Sequence, residues 1–179
     1  FYIMKGVEML NHQLTCKERV AGELADRLND IKTANLFFSS LQNIKRKAKN
    51  KAIPENFFKI AKNLDLRSYE SMTQFLGSYA LCFDYIDGVQ AEQENSGNYW
   101  RLQLSWGGPS DEFRIFWNIE NGIYRIDYWF MDWYDGAKIT LNKHHDDFSL
   151  LRRIIYNEYF GPWIEGHTTD YESLNYMQS

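Results

Sequence analysis

The stretch YWRLQLSWGGPSDEFRIFWNIENGIYRIDYWFMD, residues 99–132, decides the fold. Over Tyr99 to Trp106, the residues Trp100, Leu102, Leu104 and Trp106 alternate with Tyr99, Arg101, Gln103 and Ser105, the period of two that belongs to a strand. Gly107-Gly108-Pro109-Ser110 supplies a turn and Phe113 to Trp117 a further strand. Glu120-Asn121-Gly122 is a hairpin turn of the Asn-Gly kind ahead of a strand over Ile123 to Asp132. Connections this short join antiparallel neighbours, because a parallel pair needs a crossover of about a dozen residues or more. Outward from this stretch, Tyr79 to Ile86 reads as a preceding strand, and Asp87-Gly88 opens a polar loop after it. On the other side Tyr134-Asp135-Gly136 turns the chain into a short fifth strand over Lys138 to Leu141.

Helical periodicity flanks the meander. Leu10, Leu14, Val20, Leu24, Leu28, Ile31, Phe38, Leu41 and Ile44 recur mostly at three- and four-residue steps, which predicts one amphipathic helix or two meeting near Asn29 to Asn35. Pro54 marks the first turn of a helix through Phe57, Phe58, Ile60, Ala61 and Leu64. Ser68 is positioned to cap another that reaches Leu76 and ends at Gly77. After the sheet, Asp146 or Asp147 caps a helix carrying Phe148, Leu151, Ile154, Ile155 and Tyr159, closed by Gly161-Pro162. The expected fold class is α+β: N-terminal helices, an antiparallel meander of four to five strands, and a C-terminal helix. The chain divides into a basic helical segment 1–67, an α+β domain with the sheet over 68–164, and a polar tail 165–179.

Charge follows that division. Residues 1–67 carry 13 Lys and Arg against 7 Asp and Glu, whereas the remaining residues carry 7 against 17, so a net charge of −4 conceals two opposed halves. The aromatic content of 17% excludes a solvated, disordered chain. Cys16 and Cys82 form no CxxC and suggest neither a disulfide framework nor a zinc cluster. No run approaches the roughly 18 apolar residues of a membrane helix, and the expected compartment is the cytoplasm, without membrane contact. The chain begins at Phe1, with Met4 and Met9 as candidate native starts.

Catalytic motifs are missing. There is no phosphate-binding loop, dinucleotide fingerprint, GxSxG or HExxH pattern, and Gly107-Gly108-Pro109 leads into a strand rather than a helix N-terminus. In His144-His145-Asp146-Asp147, adjacent side chains of an extended segment point to opposite sides, so helix capping by the aspartates accounts for the cluster better than a metal. Nothing local activates either thiol. No catalytic residue, metal or cofactor is expected.

Two groups of side chains suit binding. Asp111 and Glu112 in one turn, and Asp132 and Asp135 with Trp133 in another, place acids beside rings at the sheet ends, a composition that fits a basic protein partner. Along the fourth strand, Tyr124, Ile126, Tyr128 and Phe130 lie on one face and Arg125, Asp127, Trp129 and Met131 on the other. Both faces hold large rings, so either helices cover both or one is left for a partner. The run Lys45, Arg46, Lys47, Lys49 and Lys51 is a second, cationic candidate that could neutralise phosphates, although the acidic half would repel a nucleic-acid backbone.

Leu104-Ser105-Trp106-Gly107-Gly108-Pro109-Ser110-Asp111-Glu112-Phe113-Arg114 and Tyr128-Trp129-Phe130-Met131-Asp132-Trp133-Tyr134-Asp135-Gly136-Ala137 resemble a group of small, uncharacterised proteins of bacterial plasmids and phages. In that group a strand ending in a Gly-Gly-Pro turn precedes a strand ending in Asp-Trp. The likeness covers about residues 79–141 and implies no catalytic residue. It implies a mobile-element setting, in which small proteins without enzyme motifs inhibit host defence, as anti-CRISPR and antirestriction proteins do. The leading expectation is therefore a non-enzymatic inhibitor that occupies a basic nucleic-acid-binding surface of a host defence protein or ribonucleoprotein complex. The alternatives are a nucleic-acid-binding regulator using the basic segment and a small metal-dependent hydrolase using the turn carboxylates and His144. The long N-terminal helices also permit a homodimer.

Overall fold

In the computed structural model the described residues are 14–47, 64–87, 97–118 and 120–161. Most of the helix expected from Pro54, the cations Lys49 and Lys51, the side chains of Lys45 and Lys47, and the tail from Glu165 lie outside them.

One helix, α1 (Cys16–Lys47), takes up the N-terminal periodicity without a break near Asn29 to Asn35. Its stripe of Val20, Leu24, Leu28, Ile31, Ala34 and Phe38 runs straight through that region and is buried along its length, so a continuous apolar face favours a single rod. The start carries a capping box: the Thr15 N–H donates to Glu18 Oε2 at 2.8 Å, and the Glu18 N–H points back to Thr15 Oγ1 at 3.4 Å. Helix α2 (Met72–Tyr79) begins later than expected, because Ser71 rather than Ser68 accepts the capping bond, from the Gln74 N–H at 3.2 Å. Ser68 instead closes a single 3-10 turn, Leu66–Ser68. Helix α2 also runs past Gly77, since the Tyr79 hydroxyl is held between Arg27 and Asp30 of α1, and this shortens the strand that follows.

The sheet has five strands in sequence order, all antiparallel: β1 (Cys82–Ile86), β2 (Tyr99–Gln103), β3 (Ser110–Asn118), β4 (Gly122–Asp132) and β5 (Asp135–Leu141). The meander is as the alternation indicates, but two boundaries move. Strand β2 ends at Gln103 rather than Trp106, because the Leu104 and Ser105 N–H groups both donate to the Asp111 carbonyl and fold the chain round a tight corner. Strand β3 begins at Ser110 rather than Phe113, so Asp111 and Glu112 belong to the ladder, not to a turn. At the far end of β3, Gly122 adopts φ +63, the left-handed conformation that an Asn-Gly hairpin requires. The last hairpin turns at Trp133-Tyr134, with Asp132 and Asp135 paired across it, one residue tighter and one position earlier than the Tyr134-Asp135-Gly136 reading.

Helix α3 (Phe148–Ile155) widens into a π-helical turn over Tyr156–Phe160, which lays Tyr159 and Phe160 on Phe83 of β1. One core joins α1 to the sheet across the composition boundary at residue 67, with Val20, Leu24, Phe113, Ile126, Tyr128 and Phe130 in a single cluster. The helices pack on the sheet face carrying Phe113, Ile115, Tyr128 and Phe130. The α1 stripe that permitted a homodimer lies against that face.

Candidate functional site

The acids expected on a contact surface are engaged within the fold. Asp111, 3% exposed, accepts from Arg27 twice, Nε to Oδ2 at 2.7 Å and Nη2 to Oδ1 at 2.9 Å. The Tyr128 hydroxyl donates to the same carboxylate at 2.8 Å and Ser105 Oγ at 2.5 Å. Burial and the neighbouring carboxylate push the Tyr128 hydroxyl far above the usual phenol range, so it stays a donor. Asp132 accepts from Arg19 at 2.9 Å, and Asp135 accepts from the Cys16 backbone N–H at 2.6 Å. Three of the four acids therefore fasten α1 to the sheet. The Asp135 carboxylate meets an N–H that the helix itself leaves unpaired, at the positive end of the helix dipole. Asp135→Ala is expected to lower the unfolding free energy by about 1–2 kcal/mol, the usual worth of a helix cap. A urea titration showing no shift of the midpoint would contradict that role.

Glu112 points to the other face of the sheet, where no described helix packs. It is 4% exposed, and Arg114 Nε donates to it at 2.6 Å. That face is closed by side chains crossing between strands. Asp84 takes both ends of Arg101, and Asp127 accepts from Lys138 Nζ at 3.1 Å and Thr140 Oγ1 at 2.9 Å. Rings separate the charges: Arg114 lies 4.2 Å from the centre of Trp129, and Arg125 lies 3.6 Å from that of Phe116. Among the described residues no helix covers this face, and ion pairs and cation–ring contacts between strands lie across it.

Trp133 is the member of the expected contact set whose side chain is left most fully in solvent without an ion pair or capping bond. It is 83% exposed and adopts φ +52, a left-handed conformation in which a bulky side chain is strained. The first position of such a two-residue turn suits glycine. Its ring leans on the neighbouring hairpin, where a Cβ on Gly108 would meet Trp133 Nε1 at 2.8 Å, so the absence of a side chain at 108 lets the two tips touch. Trp106, 77% exposed, and Tyr134, fully exposed, flank this contact. Leu81, whose N–H bonds the end of β2, and Leu14, just ahead of the capped Cys16, are also exposed at this end of the sheet. At roughly 150–250 Å² per large ring, Trp106, Trp133 and Tyr134 offer on the order of 500 Å², as large as the biggest apolar patch of a typical monomer. Trp106 and Tyr134 escape a sequence reading centred on acids, although each adjoins turn residues where a ring has no core to enter.

Among the described residues the remaining candidates lie apart. The Asp147 carboxylate bonds Lys32 Nζ at 2.5 Å rather than capping α3, and its N–H donates to His145 Nδ1 at 3.2 Å. Among the described residues no three His, Cys, Asp or Glu side chains come together to hold a metal ion. Burial raises the Cys16 and Cys82 thiols, which disfavours the reactive thiolate. Of the basic run, Arg46 is exposed in the last turn of α1. No described helix is long and apolar enough to cross a membrane. Comparison with protein-family models, curated proteins and solved structures finds no match to this chain.

Proposed function

We propose that this chain is a non-enzymatic binding protein that grips a partner protein with its aromatic hairpin tips, Trp106, Trp133 and Tyr134. One observation carries the reading: a tryptophan occupies a left-handed turn position that favours glycine, and its ring is left in solvent. Its ring touches the tip at Gly108 yet stays 83% exposed. Backbone strain kept for a ring that remains mostly in solvent supports a role outside the molecule. Exposed tryptophan and tyrosine are also the residues that dominate binding hot spots. The likeness of residues 79–141 to phage and plasmid proteins supports a bacterial defence complex, of the CRISPR or restriction type, as the partner. Contact through rings replaces contact through acids, because Asp111, Glu112, Asp132 and Asp135 are engaged in holding the fold together.

Cells carrying a restriction or CRISPR system, when they express the chain, are expected to accept incoming plasmid DNA that they otherwise destroy. Trp133→Gly abolishes the protection while leaving stability within about 1 kcal/mol of the parent, since relief of φ strain offsets the added chain entropy. Trp106→Ala acts in the same direction. Absence of protection in every such strain defeats the defence assignment, and protection that survives both substitutions defeats the aromatic tips.

A further inference from the structure

At the opposite end of the sheet, the cations of the acidic half sort into two kinds. Arg101, Arg114, Arg125 and Lys138 are paired with Asp84, Glu112 and Asp127 on the helix-free face. Lys143, Arg152 and Arg153 have no carboxylate partner among the described residues. These three line two open grooves, of about 470 and about 360 Å³, that meet at Arg152 and Ile123. The larger lies between the β3–β4 turn and the loop after β5 and contains Tyr124, Lys143 and His144. The smaller runs along α3 and contains Arg153 and Tyr156. No Asp or Glu lines either groove. Arg152 Nη2 donates to the Asn121 carbonyl at 3.1 Å, which fixes the guanidinium across the β3–β4 turn.

A helix C-terminus attracts cations, but this does not account for the cluster. The backbone of α3 continues into the π-helical turn to Phe160, so its carbonyls are not left open at Arg153, and Lys143 stands on a different element. Tyr124, 43% exposed and 6.4 Å from the Phe116 ring, lines the larger groove, and Tyr156, 46% exposed, lines the smaller. Cations along a groove and rings set at intervals are the two components of single-strand recognition, the first for phosphates and the second for the faces of bases.

We propose that these confluent grooves form a binding site for single-stranded nucleic acid, with Lys143, Arg152 and Arg153 on the phosphates and Tyr124 and Tyr156 stacking on bases. The site is separate from the aromatic tips and does not depend on their role.

Fluorescence anisotropy of the full chain with a labelled oligothymidylate of about 10 nucleotides, and with an oligouridylate of similar length, tests the site. Three phosphate contacts on a single strand predict an affinity that falls about 20-fold between about 50 and about 200 mM salt. Lys143→Ala with Arg153→Ala, both exposed side chains without internal bonds, should weaken binding at least about 10-fold at an unchanged melting temperature. Tyr124→Ala and Tyr156→Ala should each weaken it about 10-fold. Trp133→Gly should leave it unchanged, which separates this site from the tips. Binding of neither oligonucleotide at low salt overturns the proposal. So does binding that survives the Lys143 and Arg153 substitutions but is lost when the cations of residues 45–51 become alanine. Adsorption to phosphatidylserine vesicles with no oligonucleotide bound would assign the cations to a membrane surface and overturn it equally.

Discussion

Asp111→Ala is expected to destabilise the protein by about 3–5 kcal/mol, because it leaves the Arg27 guanidinium without its partner inside the fold. The carboxylate accepts four side-chain bonds, two from Arg27 and one each from Tyr128 and Ser105, and the Ser105 hydroxyl in turn accepts from the Asp111 N–H at 3.0 Å. Removing it strands a buried phenol and a charged group together, and each stranded donor costs about 1–3 kcal/mol. Tyr79 and Asp30 are tied to the same guanidinium, so the loss spreads to the α1–α2 contact. For a chain of this size the change corresponds to a fall in melting temperature of roughly 10 °C. Asp111→Asn should lose less, since it keeps the shape and one acceptor. Arg27→Ala with Asp111→Ala should cost clearly less than the two single losses added, because the second change removes the charge that the first one strands. A loss below about 1 kcal/mol in Asp111→Ala, measured by urea unfolding, would show the network to be incidental.

Glu112→Gln is expected to stabilise the protein at alkaline pH, the reverse of what removing an ion-pair member usually does. Burial lifts the Glu112 carboxyl to about 7, with the nearby Asp84 and Asp111 adding to the effect and Arg101 opposing it. The Arg114 contact does not require a charge on Glu112, because a neutral carboxyl still offers its carbonyl oxygen to Nε. Burial also lowers Arg114, to about 10, and that guanidinium has Asp127 as its cross-strand neighbour. A carboxyl whose folded pKa lies above its unfolded value of 4.5 favours the fold while it is protonated. Its contribution is fully present below about pH 4.5 and is lost as pH rises through about 7. The difference amounts to about 3 kcal/mol. The Gln variant should therefore match the parent near pH 5 and exceed it near pH 8. Melting curves of the two proteins that stay parallel across that range would refute the assignment.

The meander was legible because its information is local: a period of two, an Asn-Gly pair, and connections too short for a crossover. Helix α1 was legible for the same reason, and even its Thr15-x-x-Glu18 start is a local signature that a reading centred on periodicity passes over. Asp111 and Glu112 were not. Ahead of them stands Gly-Gly-Pro-Ser, which suggests a loop, and acids at the start of a strand break its apolar pattern. The charge that balances Asp111 in the interior is that of Arg27, 84 positions earlier. Asp135 reads as an ordinary turn acid for the same reason, since the N–H it meets lies 119 positions away. That Trp133 lies in a turn was legible from its neighbours, but not its left-handed backbone. Lys143, Arg152 and Arg153 are too scattered along the chain to form a run, and the turn that gathers them is visible only in three dimensions.

The acid tethers on α1 also have a bearing on how the molecule assembles. Every strand of the sheet pairs with its neighbour in sequence, and from β2 onward the connections are six residues or fewer, so those hairpins can form within about microseconds. The bonds from Asp111, Asp132 and Asp135 to α1 instead span 84 to 119 residues, and ordering so long an intervening chain is slow. The helix can begin to wind by itself, because its capping box is local, but its apolar stripe has nothing to cover until Phe113, Tyr128 and Phe130 are already side by side. Helix α1, which leaves a ribosome before the sheet does, thus docks after it, held at its N-terminal end by a carboxylate from the last hairpin of the sheet.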